Sequence, residues 1–321
     1  MNTIPTTLES GAAPYTVVGA PKPAPSGEAG STTVVLLNRG SRLYRNESID
    51  ELARAGLGSV LSVEDKGEGL DAESLAARHP GTRFLILSEP TSVGARLNLA
   101  IRESPGPYVL VLWNDMSLSA QSLSSRFFDR LAERDLLCSA PSLYGRGGEQ
   151  LPTAIAPAQS RSSLKLLQLL PESDGERSLY PFDYAGIYSR EKFMLTGGFD
   201  AGIASPYWQK IDFGFRAWLW GEEIRIAQAL KLSYAEAPGP EDETPDEGYK
   251  RFWLKNLAPS FRGDSGAIGF SRFWAYLRSR GGGAASALGE FKAAREWVRL
   301  NRYRFRTDAA SLVDLWDEGR P

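Results

Sequence analysis

A single cysteine, Cys138, in 321 residues excludes an internal disulfide, and a single histidine, His79, leaves too few ligands for a zinc centre of the usual kind. Any metal must therefore be held by oxygen, which favours Mg²⁺ or Mn²⁺. Excess positive charge is also lacking: 37 Lys and Arg stand against 39 Asp and Glu, and a formal net charge of -2 argues against nucleic acid held by bulk charge. The longest apolar runs are far too short to span a bilayer. No basic segment followed by an apolar core opens the chain, so no signal peptide is expected, and the scarcity of cysteine agrees with a cytoplasmic location. His79 lies in RHPG, which reads as a helix stop and turn, and Cys138 reads as a small buried hydrophobe.

What remains is an ordinary globular composition, 42% hydrophobic and 24% charged, in a chain long enough for one large domain or two small ones. Its organising stretch is PYVLVLWNDM at 107–116, an apolar run that breaks into Asn114 and Asp115. Such a run reads as a buried parallel strand, and ligands of open α/β sheets gather outside the carboxyl ends of their strands. Asp115 is thus the first candidate to hold a metal or substrate; the alternative is that Asn114 and Asp115 start a turn and cap a helix near Ser119. Residues 32–38 repeat the pattern and end in Asn38, and a short strand at 59–63 closes on Glu64 and Asp65. Helices at 47–55, 71–78 and 92–103 and a strand at 83–87 complete an alternating β-α order, whose right-handed crossovers gather the strand tips on one edge.

Further along, a helix is expected at 119–134, a strand at 136–140, an exposed loop at 171–178 and a strand at 182–189. YGRGG at 144–148 reads as a turn, because no lysine follows to make a phosphate loop. The segment 207–221 has helical spacing, with Ile211, Phe215, Trp218 and Leu219 on one face. Asp212 and Arg216 are four apart on it, which makes either a solvent-side ion pair worth a few tenths of a kcal/mol or an Asp212 facing the Asp115 site with its rotamer fixed by Arg216. The first thirty residues, rich in Pro, Gly, Ala, Ser and Thr, read as a flexible or surface-draped arm.

Taken in order, Asn38, Glu64 with Asp65, GARLN at 94–98, WND at 113–115, GGFD at 197–200 and DFGFRAWLWG at 212–221 resemble the family 2 glycosyltransferases. The resemblance covers residues 32–236 and lies in the ordered combination. It implies the GT-A fold: a Rossmann-like, mixed, mainly parallel sheet flanked by helices, here spanning 31–240 between the arm of 1–30 and a helical C-terminal region of 241–321. The implied activity is transfer of a sugar, with inversion, from a nucleotide-sugar donor to a carbohydrate or glycolipid acceptor, as in polysaccharide biosynthesis. Asn38, Glu64 and Asp65 would hold the base and ribose, a use that suits charge-assisted hydrogen bonds, with Arg96, Asn98 and Asn114 beside the donor. Asp115 matches the second acid of the family's D-x-D, which coordinates a divalent ion, Mg²⁺ or Mn²⁺, on the diphosphate. Gly198 and Phe199 of GGFD would border the acceptor pocket, where Tyr207 and Trp208 either stack on a sugar ring or serve as core.

Two features depart from the family pattern. Trp113 stands in place of the first acid of D-x-D, and Gln209 with Lys210 replaces a glutamate-aspartate pair that supplies the base. A base must reach the acceptor hydroxyl, so Asp212, Asp200 and Asp183 become its candidate substitutes. The departures keep open a second class of function, a catalytically silent relative that binds a nucleotide sugar or glycan as a partner subunit. After the acidic linker EDETPDEG, helices are expected near 246–257, 268–279, 284–304 and 308–317. REWVRLNRYRFR at 295–306 either lies against the inner face of an anionic membrane as a peripheral contact or packs on the main domain with its charges solvated.

Overall fold

The computed structural model describes residues 13–20, 32–39, 42–55, 57–67, 71–119, 123–160, 163–236, 238–280 and 284–316. The chain runs through β1 (Tyr15–Val18), β2 (Thr32–Leu37), α1 (Arg42–Arg54), β3 (Val60–Asp65), α2 (Ala72–Arg78), β4 (Thr82–Leu87), α3 (Val93–Glu103), β5 (Tyr108–Trp113) and β6 (Met116–Leu118). There follow α4 (Ser125–Arg134), β7 (Cys138–Tyr144), β8 (Ala154–Ser160), β9 (Ser163–Leu169), β10 (Gly186–Ser189), α5 (Arg190–Thr196), α6 (Pro206–Leu219) and β11 (Ile224–Tyr234). The C-terminal part holds α7 (Glu247–Phe252), a π-helical turn at Trp253–Leu257, β12 (Ser260–Arg262), β13 (Ser265–Ala267), α8 (Arg272–Arg280), α9 (Ala284–Asn301) and α10 (Ala309–Asp314).

Among the described residues, nine strands form the central sheet in the order β1-β4-β3-β2-β5-β10-β7-β11-β6. Its β4-β3-β2-β5 portion is parallel, β10 runs antiparallel between β5 and β7, and β11 is parallel to β7, which gives the mixed, mainly parallel sheet expected. Every residue of β2 is buried, and β5 is buried from Val109 to Trp113, as continuous apolar strands covered on both faces should be. Their register pairs Leu37 with Trp113, and β3 brings Val63 opposite Leu37. The polar residues that follow, Asn38, Glu64 and Asn114 with Asp115, therefore emerge side by side at one edge.

Several boundaries differ from expectation. The helix assigned to 119–134 begins at Ser125, because 116–118 instead pairs with β11 as β6. Residues 182–184 form a 3-10 turn, and only 186–189 is strand. The β8–β9 hairpin and the small β12–β13 hairpin fall where no strand is expected from the sequence. Within the arm of 1–30, Tyr15–Val18 pairs antiparallel with β4 and caps the edge of the sheet; the arm before 13 and beyond 20 lies outside the described residues.

Helix α6 is buried at every position from Tyr207 to Leu219. One side meets the sheet, while Trp208, Ile211, Phe215 and Trp218 join Ile203, Phe252 and Trp316 in a second apolar cluster. A third cluster, with Trp220, Phe273, Tyr276, Phe291 and Trp297, packs α8 and α9 together. The expected solvent-side pair of Asp212 and Arg216 is thereby corrected: both side chains are 0% exposed. A helix apolar on one face cannot reveal from its own spacing that a later segment will cover the other.

Candidate functional site

At the tips of β2 and β5 the chain builds a cleft of about 300 Å³ lined by Arg39, Asp115, Phe182, Asp183, Glu236 and Glu241, among others. Arg39 sits between two carboxylates: Nε donates to Asp115 Oδ2 at 2.8 Å and Nη1 donates to Asp183 Oδ2 at 2.8 Å. Its guanidinium lies over the Trp113 ring, 4.4 Å from the centroid. Tyr234 donates its hydroxyl to the same Asp183 oxygen at 2.9 Å, and Trp113 Nε1 donates to the Asp183 carbonyl at 2.9 Å.

Electrostatics follow from this packing. Burial opposes the Arg39 charge, but Asp115 and Asp183 overcome it and hold the guanidinium above its ordinary pKa. Burial pushes the Asp183 carboxyl above the usual aspartate value, partly offset by Arg39, Lys210 and the Tyr234 hydroxyl. The Tyr234 hydroxyl is raised in turn, by burial first and then by Asp183. The backbone adds strain here: Asp183 at φ 51° and Tyr184 at φ 62° are consecutive non-glycine residues in the left-handed region. Such residues cost roughly 1–3 kcal/mol each and concentrate at functional sites.

One strand over, Asn38 Nδ2 donates to Val63 O at 2.8 Å, Ser62 Oγ at 3.1 Å and Glu64 Oε1 at 3.2 Å. Asn38 and Glu64 are thus brought together, with Glu64 largely buried and also accepting from Ser62 Oγ at 2.7 Å. Asp65 projects beyond them, more than half exposed, and pairs with Arg96 Nη1 at 2.9 Å. Asn114 does not face the cleft as a free ligand: its Oδ1 accepts the Arg39 backbone N–H at 3.1 Å and its carbonyl accepts Ser48 Oγ at 2.7 Å. Asn98 is likewise committed, its amide donating to Phe199 O at 2.7 Å and its Oδ1 accepting Phe199 N at 2.8 Å. The GxxxN motif thereby clamps GGFD to α3.

The residues assigned to catalysis and acceptor binding are placed elsewhere. Asp200 and Asp212 are both 0% exposed. Asp200 accepts from Arg251 Nε at 2.8 Å, Lys255 Nζ at 2.7 Å and Gly202 N at 2.9 Å. Asp212 accepts from Arg216 Nη1 at 2.6 Å, Lys255 Nζ at 2.9 Å and Asn256 Nδ2 at 2.8 Å. Despite desolvation, Lys255 and Arg251 hold the Asp200 carboxyl well below its usual range. A fully buried, charge-saturated carboxylate has no route to an acceptor hydroxyl, so the assignment of Asp212 and Asp200 as bases is corrected to a structural one. Gly198 takes a left-handed conformation at φ 65°, a Cβ there would lie 2.3 Å from Asn98 Oδ1, and its carbonyl accepts from Arg216 Nη2. Phe199 is buried against Phe213, centroids 4.3 Å apart, and Trp208 packs on Tyr249 while donating Nε1 to Thr244 O at 2.9 Å. Tyr207 and Trp208 are 7% and 8% exposed, so these four residues serve as core rather than as a sugar platform.

At the position of the missing glutamate-aspartate pair, Gln209 is saturated: Oε1 accepts Gly94 N at 2.8 Å and Tyr184 Oη at 3.0 Å, and Nε2 donates to Ser92, Asp200 and Ile203 oxygens. Lys210 is 0% exposed among the rings of Tyr180, Phe182 and Tyr184 and donates to Glu241 Oε1. Glu241, from the segment after β11, thus brings a carboxylate back to the cleft from a remote stretch of chain. Arg39, Tyr234 and Glu241 escaped the sequence reading; the one local signal was an arginine directly after the strand-ending Asn38.

The donor set around Asp115 does not fit a divalent ion. Asp115 Oδ2 and Asp183 Oδ2 are both taken by Arg39, leaving Asp115 Oδ1 as a buried oxygen without a bond among the described residues. Among the described residues no three His, Cys, Asp or Glu side chains form a possible metal group. Two unit charges 4 Å apart at an effective dielectric near 20 interact by about 4 kcal/mol, so a dication on one oxygen of Asp115 would meet strong repulsion from the guanidinium on the other.

No protein-family model matches the chain and no curated protein matches it by sequence. Solved structures do match. A structure of GalNAc-T7 with UDP, GalNAc and Mn²⁺ superposes at a TM-score of 0.60 with 11% identity, over 90% of this chain and 56% of that one. A structure of S. aureus TarS in complex with UDP-GlcNAc superposes at 0.51 with 15% identity, over 84% of this chain and 72% of that one. This chain therefore spans little more than half the length of the first of these proteins. What it shares with both is an architecture, and by that architecture the protein has the GT-A glycosyltransferase fold.

Proposed function

We propose that this protein transfers a glycosyl unit, with inversion, from a nucleotide-sugar donor to a carbohydrate or glycolipid acceptor. The observation that carries the proposal is the convergence of Asp115 and Asp183 on a cleft at the carboxyl ends of β2 and β5, where an α/β sheet of this kind binds ligand. Asn38 and Glu64, with Asp65 and Arg96 at the rim, would hold the nucleoside. Arg39 and Asp115 would face the diphosphate, and Asp183 would serve as general base. Asp183 suits that role because it lines the cleft, its carboxyl is raised above the usual value, and its Oδ1 accepts no hydrogen bond among the described residues. A base whose pKa lies closer to the operating pH transfers protons more effectively. Divalent-metal assistance, implied by the family resemblance, is left out of this proposal because the Arg39 guanidinium holds both carboxylates.

The fold neighbours were solved with UDP and with UDP-GlcNAc, which makes UDP the first ligand to try. Calorimetric titration with UDP, GDP, ADP, CDP and dTDP should show binding by one of them, weakened by Asp115→Asn. Silence from the whole set sinks the donor-site reading.

A second reading is favoured by Lys210, a buried cation where the family carries an acid. On that reading the protein binds a nucleotide sugar or glycan without turning it over and acts as a partner subunit. Sugar release from labelled donors separates the two.

The C-terminal region supports a membrane contact as well. Residues 268–306 carry nine Lys and Arg against two Glu, and Trp274 and Tyr303 are 58% and 60% exposed. Basic charge interspersed with exposed aromatic rings suits the headgroup layer of an anionic membrane. Among the described residues no helix is long and apolar enough to cross one.

A further inference from the structure

The geometry points to Arg39 as the resident cation of the cleft: it holds, as part of the chain, the place between Asp115 and a second carboxylate where a divalent ion would otherwise sit, so the site works without metal. The inference rests on the proposed nucleotide-sugar function for its ligand, but its metal chemistry can be judged separately.

Three observations carry it. First, one guanidinium reaches Asp115 and Asp183, which are 68 positions apart, through Nε and Nη1 at 2.8 Å each. Its planar fork suits such a double engagement, and unlike an ammonium it stays charged at any working pH. Second, the bridged Asp183 oxygen also accepts the Tyr234 hydroxyl, so its lone pairs are committed. Third, Trp113 removes an oxygen ligand from its position and supplies a ring face there, with the Arg39 guanidinium over it at 4.4 Å. A cation lying on an indole face is attracted by its quadrupole. The exchange of an acid for tryptophan and the presence of Arg39 thus belong to one rearrangement: an ionic ligand set became a π-backed guanidinium site.

This separates two possibilities that sequence alone leaves merged. Loss of an acid could leave a weakened metal site, or it could accompany replacement of the metal by a side chain. In the first case divalent ion should still bind and should aid nucleotide binding. In the second, metal should find no seat until the arginine is removed.

The test uses the full-length protein with MnCl₂ alone, read by electron paramagnetic resonance of free Mn²⁺ and by calorimetry, before any nucleotide is added. The native protein is expected to show no Mn²⁺ binding at millimolar concentrations. Arg39→Ala frees Asp115 and Asp183 and is expected to gain Mn²⁺ affinity by about tenfold or more, since a like charge beside the ion is gone. Arg39→Ala with Asp115→Asn should lose that gain. UDP affinity of the native protein should be the same in EDTA and in Mn²⁺. Submillimolar Mn²⁺ binding by the native protein overturns the inference, as does a folded Arg39→Ala that gains none. Circular dichroism establishes folding, and Arg39→Gln, which keeps a hydrogen-bonding side chain without the charge, stands in if the alanine variant does not fold. Absence of nucleotide binding in every arm overturns the proposed function, while the Mn²⁺ titrations still decide the metal question.

Discussion

Asp200 and Lys255, 55 positions apart, meet at 2.7 Å with both side chains wholly buried. Lys255 also donates to Asp212 at 2.9 Å, so one ammonium ties the GGFD turn to the middle of α6. The π-helical turn at Trp253–Leu257 helps present Lys255 and Asn256 to the same carboxylate. Removing this cation leaves each buried carboxylate one arginine, Arg251 on Asp200 and Arg216 on Asp212, and takes a charged hydrogen bond from both. Lys255→Met is expected to destabilise the protein by about 3–5 kcal/mol, read as a drop in the urea midpoint. A change under 1 kcal/mol would show that Arg251 and Arg216 suffice.

The same cluster predicts acid sensitivity with a definite sign. Asp200 has a folded pKa depressed below its unfolded value, so its contribution is fully present above about pH 3.9 and is lost as pH falls through the folded value. Urea midpoints taken from neutral pH down to pH 3 should fall over the lower part of that range, and Asp200→Asn should lower stability throughout while flattening that fall.

Asp183 gives the kinetic prediction. Asp183→Asn should cut transfer by about 10²- to 10⁴-fold while leaving nucleotide affinity nearly unchanged, as loss of a general base does. The pH–rate profile should lose activity as pH falls through a pKa above the ordinary aspartate value, because burial raises this carboxyl. Tyr234→Phe deletes a hydrogen bond that lowers that pKa, so its acidic limb should move to higher pH. Unaltered transfer in Asp183→Asn would transfer the role to Glu241.

Cosedimentation with vesicles tests the basic surface. Binding to phosphatidylserine vesicles but not to phosphatidylcholine vesicles is expected, weakened by salt and by Trp274→Ala with Arg278→Ala. Equal behaviour with both lipids would remove the membrane contact.

How far the sequence could be read depends on the range of the interactions involved. The continuous apolar runs of β2 and β5 announce buried parallel strands, and their abrupt polar ends mark the cleft, because both signals lie within ten residues. The pairing of Asp65 with Arg96 joins the end of β3 to α3 and leaves no such local mark. Arg39 lies 76 positions from Asp115 and 144 from Asp183, and no local pattern records such a meeting. Asp212 shows the opposite failure. Its four-residue spacing to Arg216 is a local signal that was legible, but the burial of that pair depends on α7 and the turn after it. The roles of Asn98, Phe199 and Trp208 were obscured for the same reason: residue type names what a side chain can bond, and only tertiary packing decides whether that capacity is already used.

The late arrival of Lys255 bears on the timing of folding during synthesis. Asp212 precedes it by 43 positions, and β11 closes the principal sheet well before it emerges. A nascent chain whose residues up to Tyr234 have left the ribosome would thus have its last sheet strand but would carry two carboxylates in a helix and turn without their shared counter-charge. The region after 240 supplies Arg251, Lys255 and Asn256 to the carboxylates of Asp200 and Asp212, so the final packing of α6 draws on residues that leave the ribosome after the sheet does.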